Sequence, residues 1–240
     1  MLVGSLLGLG ASENYLKECL DSLNLSDYKI KISNFNKNGY EVTDFDVVLK
    51  ENNHDHDMSY LSGEKAFEEI KVKRNLEAVK RIIDNSKLTF KAKKMAIKIF
   101  EIVAKAEAKA HGVSLEEVIF HESGAMDSII DIVSFAVCLD NLNVNKVYVK
   151  NLKEGRGQIN TRVGLLNIPT PAVKNILNEF NLKVEKTNLP YELITPTGIA
   201  CVCAVASSFE GVKNKKIVKV KYGNGKRNYK LPCVLRVEAY

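Results

Sequence analysis

Residues 129–139 read Ile-Ile-Asp-Ile-Val-Ser-Phe-Ala-Val-Cys-Leu, a run with almost no polar face. A helix that is apolar nearly all round is stable only with protein on every side. This is the pattern of a helix packed inside a protein. Just upstream, Val118-Ile119-Phe120 ends in His121-Glu122, and Gly124 interrupts the chain before the helix. Asp127 is placed to cap the helix through its side-chain oxygen. Asp131 lies one turn further on the same face, and Ser134 and Cys138 continue that stripe. Ionised carboxylates are costly to bury without a partner. With His121 and Glu122 delivered to the same end, a divalent metal is the economical partner. The alternative is a capped helix whose polar stripe faces water.

The 240 residues provide for one large domain or two small ones. Apolar content of 45% and charged content of 27% are ordinary for a water-soluble globular protein. The apolar opening, Met-Leu-Val-Gly-Ser-Leu-Leu-Gly-Leu-Gly, lacks a basic leader and is too short to span a bilayer. No other stretch is long enough, so no membrane partner and a cytoplasmic location are expected. Five cysteines without a scaffold pattern fit reduced thiols, and Cys201-Val-Cys203 reads as core rather than ligand. The net charge of +6 comes from dispersed lysines. That slightly favours a small anionic substrate and is weak evidence for nucleic acid, so a nucleic-acid-binding domain is a third, lesser reading and no nucleic-acid partner is expected.

Short helices are expected at 2–9 and 12–23, the second capped by Ser12. Strands at 28–33 and 40–49 flank the turn signal Asn36-Lys-Asn-Gly39, giving a hairpin. Asn52-Asn53-His54-Asp55-His56-Asp57 follows. In an extended segment His54 and His56 point the same way, and imidazole with carboxylate suits nickel, zinc or manganese; a solvated linker is the other reading. Helices are expected at 63–72, 75–85 and 91–110, the last stopped by Gly112, with His111 in its final turn. Ser114-Leu-Glu-Glu117 has the form of a capping box. Beyond the central helix come a strand at 146–150, a flexible basic turn Glu154-Gly-Arg-Gly157, and Ile168-Pro-Thr-Pro171 entering a helix to about 180. Thr195-Pro-Thr-Gly198 opens a helix expected at 199–208 and has the form of an anion cup, with free N–H groups and two hydroxyls; an ordinary capped start is the alternative. Strands at 216–221 and 234–237 flank Tyr222-Gly-Asn-Gly-Lys-Arg227, either a phosphate cradle or a tight turn. The expected class is α+β: mixed sheets with hairpins packed against several helices, in one or two subdomains. The expected regions are 1–57, ending in the His/Asp loop, 58–145 around the central site, and 146–240 with the two loops just named.

Phe120-His-Glu-Ser-Gly-Ala-Met-Asp-Ser-Ile-Ile-Asp-Ile-Val resembles the signature of the LarC nickel-insertion family. So do Ala106-Glu-Ala-Lys-Ala-His-Gly112, the Pro-Thr-Pro-Ala172 turn, Leu193-Ile-Thr-Pro-Thr-Gly198 and Tyr222-Gly-Asn-Gly-Lys-Arg227, all in the family's order. The resemblance implies insertion of nickel into a pyridinium bisthiocarboxylate mononucleotide, a CTP-dependent chelatase reaction that makes a nickel-pincer cofactor. It also implies a nickel–carbon bond on the ring and hence loss of a ring proton, for which Glu122 is the candidate general base. His121, Asp127 and Asp131 are the candidate metal ligands, with His54 and His56 as collectors. Thr195, Thr197, Gly198 and Arg227 are the candidate phosphate-binding residues. Relatives carry a further N-terminal segment, a longer histidine-rich run, and a histidine where this chain has Val163. They also carry a C-terminal domain associated with CTP, which would begin after residue 237. A separate chain carrying that domain, using Mg or Mn with CTP, is therefore an expected partner, and a homo-oligomer is left open. The competing function is a non-catalytic nickel or divalent-metal chaperone using the same ligands.

Overall fold

The structure is a computed structural model, and it describes residues 1–26, 28–49, 74–120, 126–161, 164–212, 214–227, 229 and 231–240. Within them the central helix, α5 (Met126–Asn141), buries every residue from Asp127 to Leu139 except Asp131, which is half-buried. Its neighbours are α1 (Leu2–Leu9), α2 (Glu13–Asp21), α4 (Phe90–His111), α7 (Pro196–Val205) and β2 (Tyr40–Leu49). The enclosure required by the apolar run is thus supplied by five separate elements. Its C-terminal end also ties down two of the other helices. Asn141 Oδ1 accepts from the Ser12 N–H at 2.8 Å, and Asp140 Oδ2 accepts from the Thr89 hydroxyl at 2.6 Å. Ser12 and Thr89 are the N-caps of α2 and α4, so the core helix fixes where both begin.

Four strands form one mixed sheet in the order β1 (Tyr28–Lys37), β2, β9 (Lys219–Asn224), β10 (Val234–Ala239). The outer pairs are antiparallel hairpins, while β2 and β9 run parallel with Val42 opposite Tyr222. One sheet therefore joins residues of the 1–57 and 146–240 regions. α1 lies over β2 and β9. The other helices form a layer in which α4 contacts α3 (Leu76–Asp84), α5, α6 (Pro171–Glu179) and α7. Cross-links within that layer include Lys98 Nζ donating to the Ala204 carbonyl at 2.6 Å and Asn175 Nδ2 to the Ala106 carbonyl at 3.0 Å.

Three two-stranded pairs complete the fold. β3 (Val147–Tyr148) and β8 (Ala206–Ser208) are parallel, as are β4 (Lys153–Glu154) and β7 (Glu185–Lys186), and β5 (Gln158–Thr161) with β6 (Gly164–Asn167) is a hairpin. The architecture is α+β with mixed sheets, as the residue pattern indicated. Two local expectations fail. The helix expected through 208 stops at Val205, and the next three residues pair with β3. Glu154 is not part of a flexible turn: it is 1% exposed and ends β4.

Candidate functional site

A cleft of about 1700 Å³ is lined by residues of α5, α7, the start of α6, the β5–β6 hairpin, and the segment after β9. On one side are Ser128 and Asp131 of α5, and elsewhere on its wall are Thr195, Thr197 and Gly198 with Lys226 and Arg227. The fold thus brings the expected carboxylate of α5 and the expected phosphate-binding residues to one cavity. His54, His56, His121 and Glu122 lie outside the described residues. Among the described residues no group of three or more His, Cys, Asp or Glu is placed to hold a metal.

Asp127 is not the cap residue. The helix starts at Met126, so Asp127 lies in the first turn, where the helix dipole favours a negative charge. It is 7% exposed, and Ser134 and Cys138 on the same stripe are fully enclosed. The stripe therefore faces protein and not bulk water, with only Asp131 reaching the cleft. Burial and the charge of Asp131 both push the Cys201 thiol upward. Burial likewise pushes the thiols of Cys138 and Cys203 up to about 12. These cysteines are core residues held as thiols at neutral pH, unsuited to act as soft metal ligands.

Thr195 caps α7: its Oγ1 accepts from the Gly198 N–H at 3.1 Å. Pro196 has no N–H to offer, so the cap consumes the Gly198 donor and leaves the Thr197 N–H and hydroxyl at the helix start. The ordinary capped start is what the structure shows, and that start also lines the cleft. The segment leading to this cap is fixed by Glu154. Its Oε1 accepts from Leu193 N at 2.7 Å, Gly155 N at 2.8 Å and Ile194 N at 3.4 Å. Burial raises the Glu154 carboxyl above its ordinary range, opposed by the three N–H groups and by Arg227. The Gly155 backbone passes so near that a Cβ there would lie 1.8 Å from the Tyr191 carbonyl oxygen. The sequence did signal this approach through Gly155, but a charged residue beside two glycines reads as a loop.

Arg227 is held rather than free. Nη2 donates to Glu192 Oε2 at 2.9 Å, and Nη1 to the Glu192 carbonyl at 3.2 Å and the Tyr229 hydroxyl at 3.0 Å. The hydroxyl in turn donates to the Glu192 carbonyl at 2.8 Å, and its ring stacks on Tyr191 with centroids 4.1 Å apart. Despite burial, the Glu192 carboxylate and Tyr229 raise the Arg227 guanidinium further above its ordinary value, so it stays charged. The glycine-rich run is not an open loop either. Tyr222, Gly223 and Asn224 belong to β9, Asn224 Nδ2 donates to Asp44 Oδ1 at 3.0 Å, and Lys226 pairs with Asp46. Gly223 is required by contact: a Cβ there would lie 1.9 Å from the Met1 carbonyl oxygen. His111 forms a pair with Glu107 at 3.5 Å, one turn back, while Gly112 closes α4 in a left-handed conformation.

The geometry defines an α+β protein whose cleft is lined by a carboxylate-bearing core helix, a capped helix start and two paired cations. The family described as nickel insertion protein matches residues 1–239, and the chain belongs to that family. It is 43% identical over 237 residues to the pyridinium-3,5-bisthiocarboxylic acid mononucleotide nickel insertion protein of Alkaliphilus metalliredigens, covering 98% of this chain and 56% of that protein. For the protein of the same name from Acetivibrio thermocellus the identity is 40% over 227 residues, covering 95% and 54%. For that from Clostridium kluyveri it is 36% over 238 residues, covering 99% and 58%. The chain thus spans about half the length of these curated relatives. No solved structure matches it significantly. Among the described residues no helix is long and apolar enough to cross a membrane.

Proposed function

We propose that this chain takes part in nickel insertion into a pyridinium bisthiocarboxylate mononucleotide, the reaction its relatives are named for. The observation that carries the reading is the shared cleft, lined by Asp131 on α5 and by the Thr197–Gly198 start of α7. A phosphate fits the helix start, where the Thr197 N–H and hydroxyl are available and Arg227 and Lys226 add positive potential. Nickel is the cargo. His121 and Asp131 hold it next to the nucleotide ring, with Asp127, which does not line the cleft, supporting them from behind; His54 and His56 collect it, and Glu122 removes the ring proton as metal and carbon join. Carboxylate and imidazole are harder donors than thiocarboxylate sulfur, so transfer runs from protein to substrate. CTP with Mg or Mn would be held by the part of the relatives' length that lies outside the match.

The test is incubation of pure protein with nickel, CTP and the dithiocarboxylated mononucleotide, alone and with the C-terminal half of a relative. The nickel-bound product is read by mass. Asp131→Ala is expected to lower product and weaken nickel binding while the folded circular-dichroism spectrum is retained. Nickel binding without product in either arrangement would establish the chaperone reading instead, and unchanged nickel titration by Asp131→Ala would remove Asp131 from the site.

A further inference from the structure

α6 and α7 begin alike, with Thr170-Pro171 and Thr195-Pro196, and both starts line the cleft. Their caps differ. The side chains of Ser12, Asn75, Thr89 and Thr195 each accept from a backbone N–H of the helix they open. Thr170 makes no such bond. Its residue is 6% exposed, and its Oγ1 is buried without a hydrogen-bond partner among the described residues. Pro171 at the first helical position has no N–H. Ala172 and Val173, 5% and 0% exposed, therefore begin the helix with N–H groups that no side chain caps. A helix start buried without partners needs an acceptor from elsewhere.

We propose that the start of α6 binds a carboxylate or thiocarboxylate on the nucleotide's ring, while the start of α7 takes the phosphate. This rests on the mononucleotide reading above. The acceptor is an anion because three donors stand at one helix start: the Thr170 hydroxyl and the N–H groups of Ala172 and Val173, at the positive end of a nine-residue helix. It is a ring-borne, singly charged group because this start is more enclosed than that of α7, where Thr195 is exposed and Thr197 and Gly198 are half-buried. Cations serve the α7 end through Lys226 and Arg227, whereas the chain enters Thr170 from the β5–β6 hairpin, whose Ile159 and Leu166 line the cleft as apolar walls. A flat aromatic acid matches neutral donors set among such walls better than a phosphate dianion does.

Nicotinate mononucleotide and nicotinamide mononucleotide separate the two ends, since they share the phosphate and differ only in a ring carboxylate against an amide. Calorimetric titration of the whole chain is expected to favour the nicotinate form. Thr170→Val should weaken that form about tenfold, ~1.4 kcal/mol, and leave the nicotinamide form unchanged; Thr170→Ser should restore the preference. Melting of Thr170→Val should stay level or rise, because an unpartnered buried hydroxyl is removed. Equal losses for both ligands, no loss for either, or a lowered melting temperature would overturn the assignment. If neither mononucleotide binds, the mononucleotide reading falls, and titration with free nicotinate decides this site alone. Shifts of the Ala172 and Val173 amide resonances would sustain a carboxylate site there, and their silence would end it.

Discussion

Replacing Glu154 with alanine removes one oxygen that satisfies three backbone N–H groups, two of them, on Gly155 and Ile194, in buried residues. Each buried donor left without an acceptor costs about 1–3 kcal/mol. Two such donors would cost about 2–6 kcal/mol, and water entering the vacated space brings the expectation to about 3 kcal/mol. For a chain of this length that lowers the melting temperature by about 6–12 °C. Glu154→Gln keeps the accepting oxygen and tests the charge separately. Burial raises the native carboxyl above its ordinary 4.5. The native state therefore binds the proton more tightly, and the stability this group contributes is fully present below pH 4.5 and is lost as pH rises through the native value. Urea unfolding at a series of pH values should show Glu154→Gln gaining on the wild type across that rise. The wild type gaining instead would contradict the burial argument. A Glu154→Ala melting temperature within a degree of wild type would refute the claim that this oxygen holds the segment before α7.

Arg227→Ala should destabilise by about 2–4 kcal/mol, read by chemical denaturation, because it strands the Glu192 carboxylate, which is 5% exposed. Arg227→Lys should recover only part of this, since one ammonium cannot reproduce contacts to a carboxylate, a carbonyl and a phenol. The thiols of Cys138 and Cys203, raised by burial to about 12, should react with a disulfide reagent at pH 7.5 only as fast as the protein opens. Fast reaction in the folded state would contradict their enclosure. Thr197→Leu should reduce mononucleotide affinity by about tenfold, ~1.4 kcal/mol, while nickel titration is unchanged; the reverse pattern would remove the phosphate site at α7.

Periodicity made the long elements legible. Phe90–His111 ends at Gly112 because a left-handed residue was needed there, and the 40–49 strand carries alternating residues along a sheet whose inner face is covered by α1. Ser114 N donates to Glu117 Oε2 at 3.0 Å, but Glu117 N donates to the Ser114 carbonyl at 3.2 Å and not to its hydroxyl, so only half of the expected capping box forms, closing a turn. What escaped were two-residue strands and the partners of charged side chains. Lys153-Glu154 has no period to detect, and its burial depends on a segment 39 residues away. The Gly-rich run at 222–227 is legible as a close approach but not as a strand, because the contact that demands glycine comes from Met1. Likewise Arg227 has the composition of a phosphate ligand, while its attachment to Glu192 and Tyr229 exists only in three dimensions.

That attachment changes what Arg227 can contribute. An arginine free in solution loses side-chain entropy when it grips a phosphate. Here the carboxylate, carbonyl and phenol already fix the guanidinium, and the stacked Tyr191 fixes the phenol. The bonded residue, Glu192, lies three positions before the α7 cap, and Glu154 pins Leu193 and Ile194 in between. Cation, cap and helix start are consequently one rigid unit, and under the proposed function such a unit would hold the mononucleotide in one pose. The cost is that Glu192 neutralises much of the charge Arg227 offers, as Asp46 does for Lys226, leaving the Thr197 donors to supply most of the attraction. Mononucleotide affinity at this start should therefore be modest and depend on orientation. It should fall more on Glu154→Ala, which loosens the unit, than on Lys226→Ala, which removes one charge from a rigid frame.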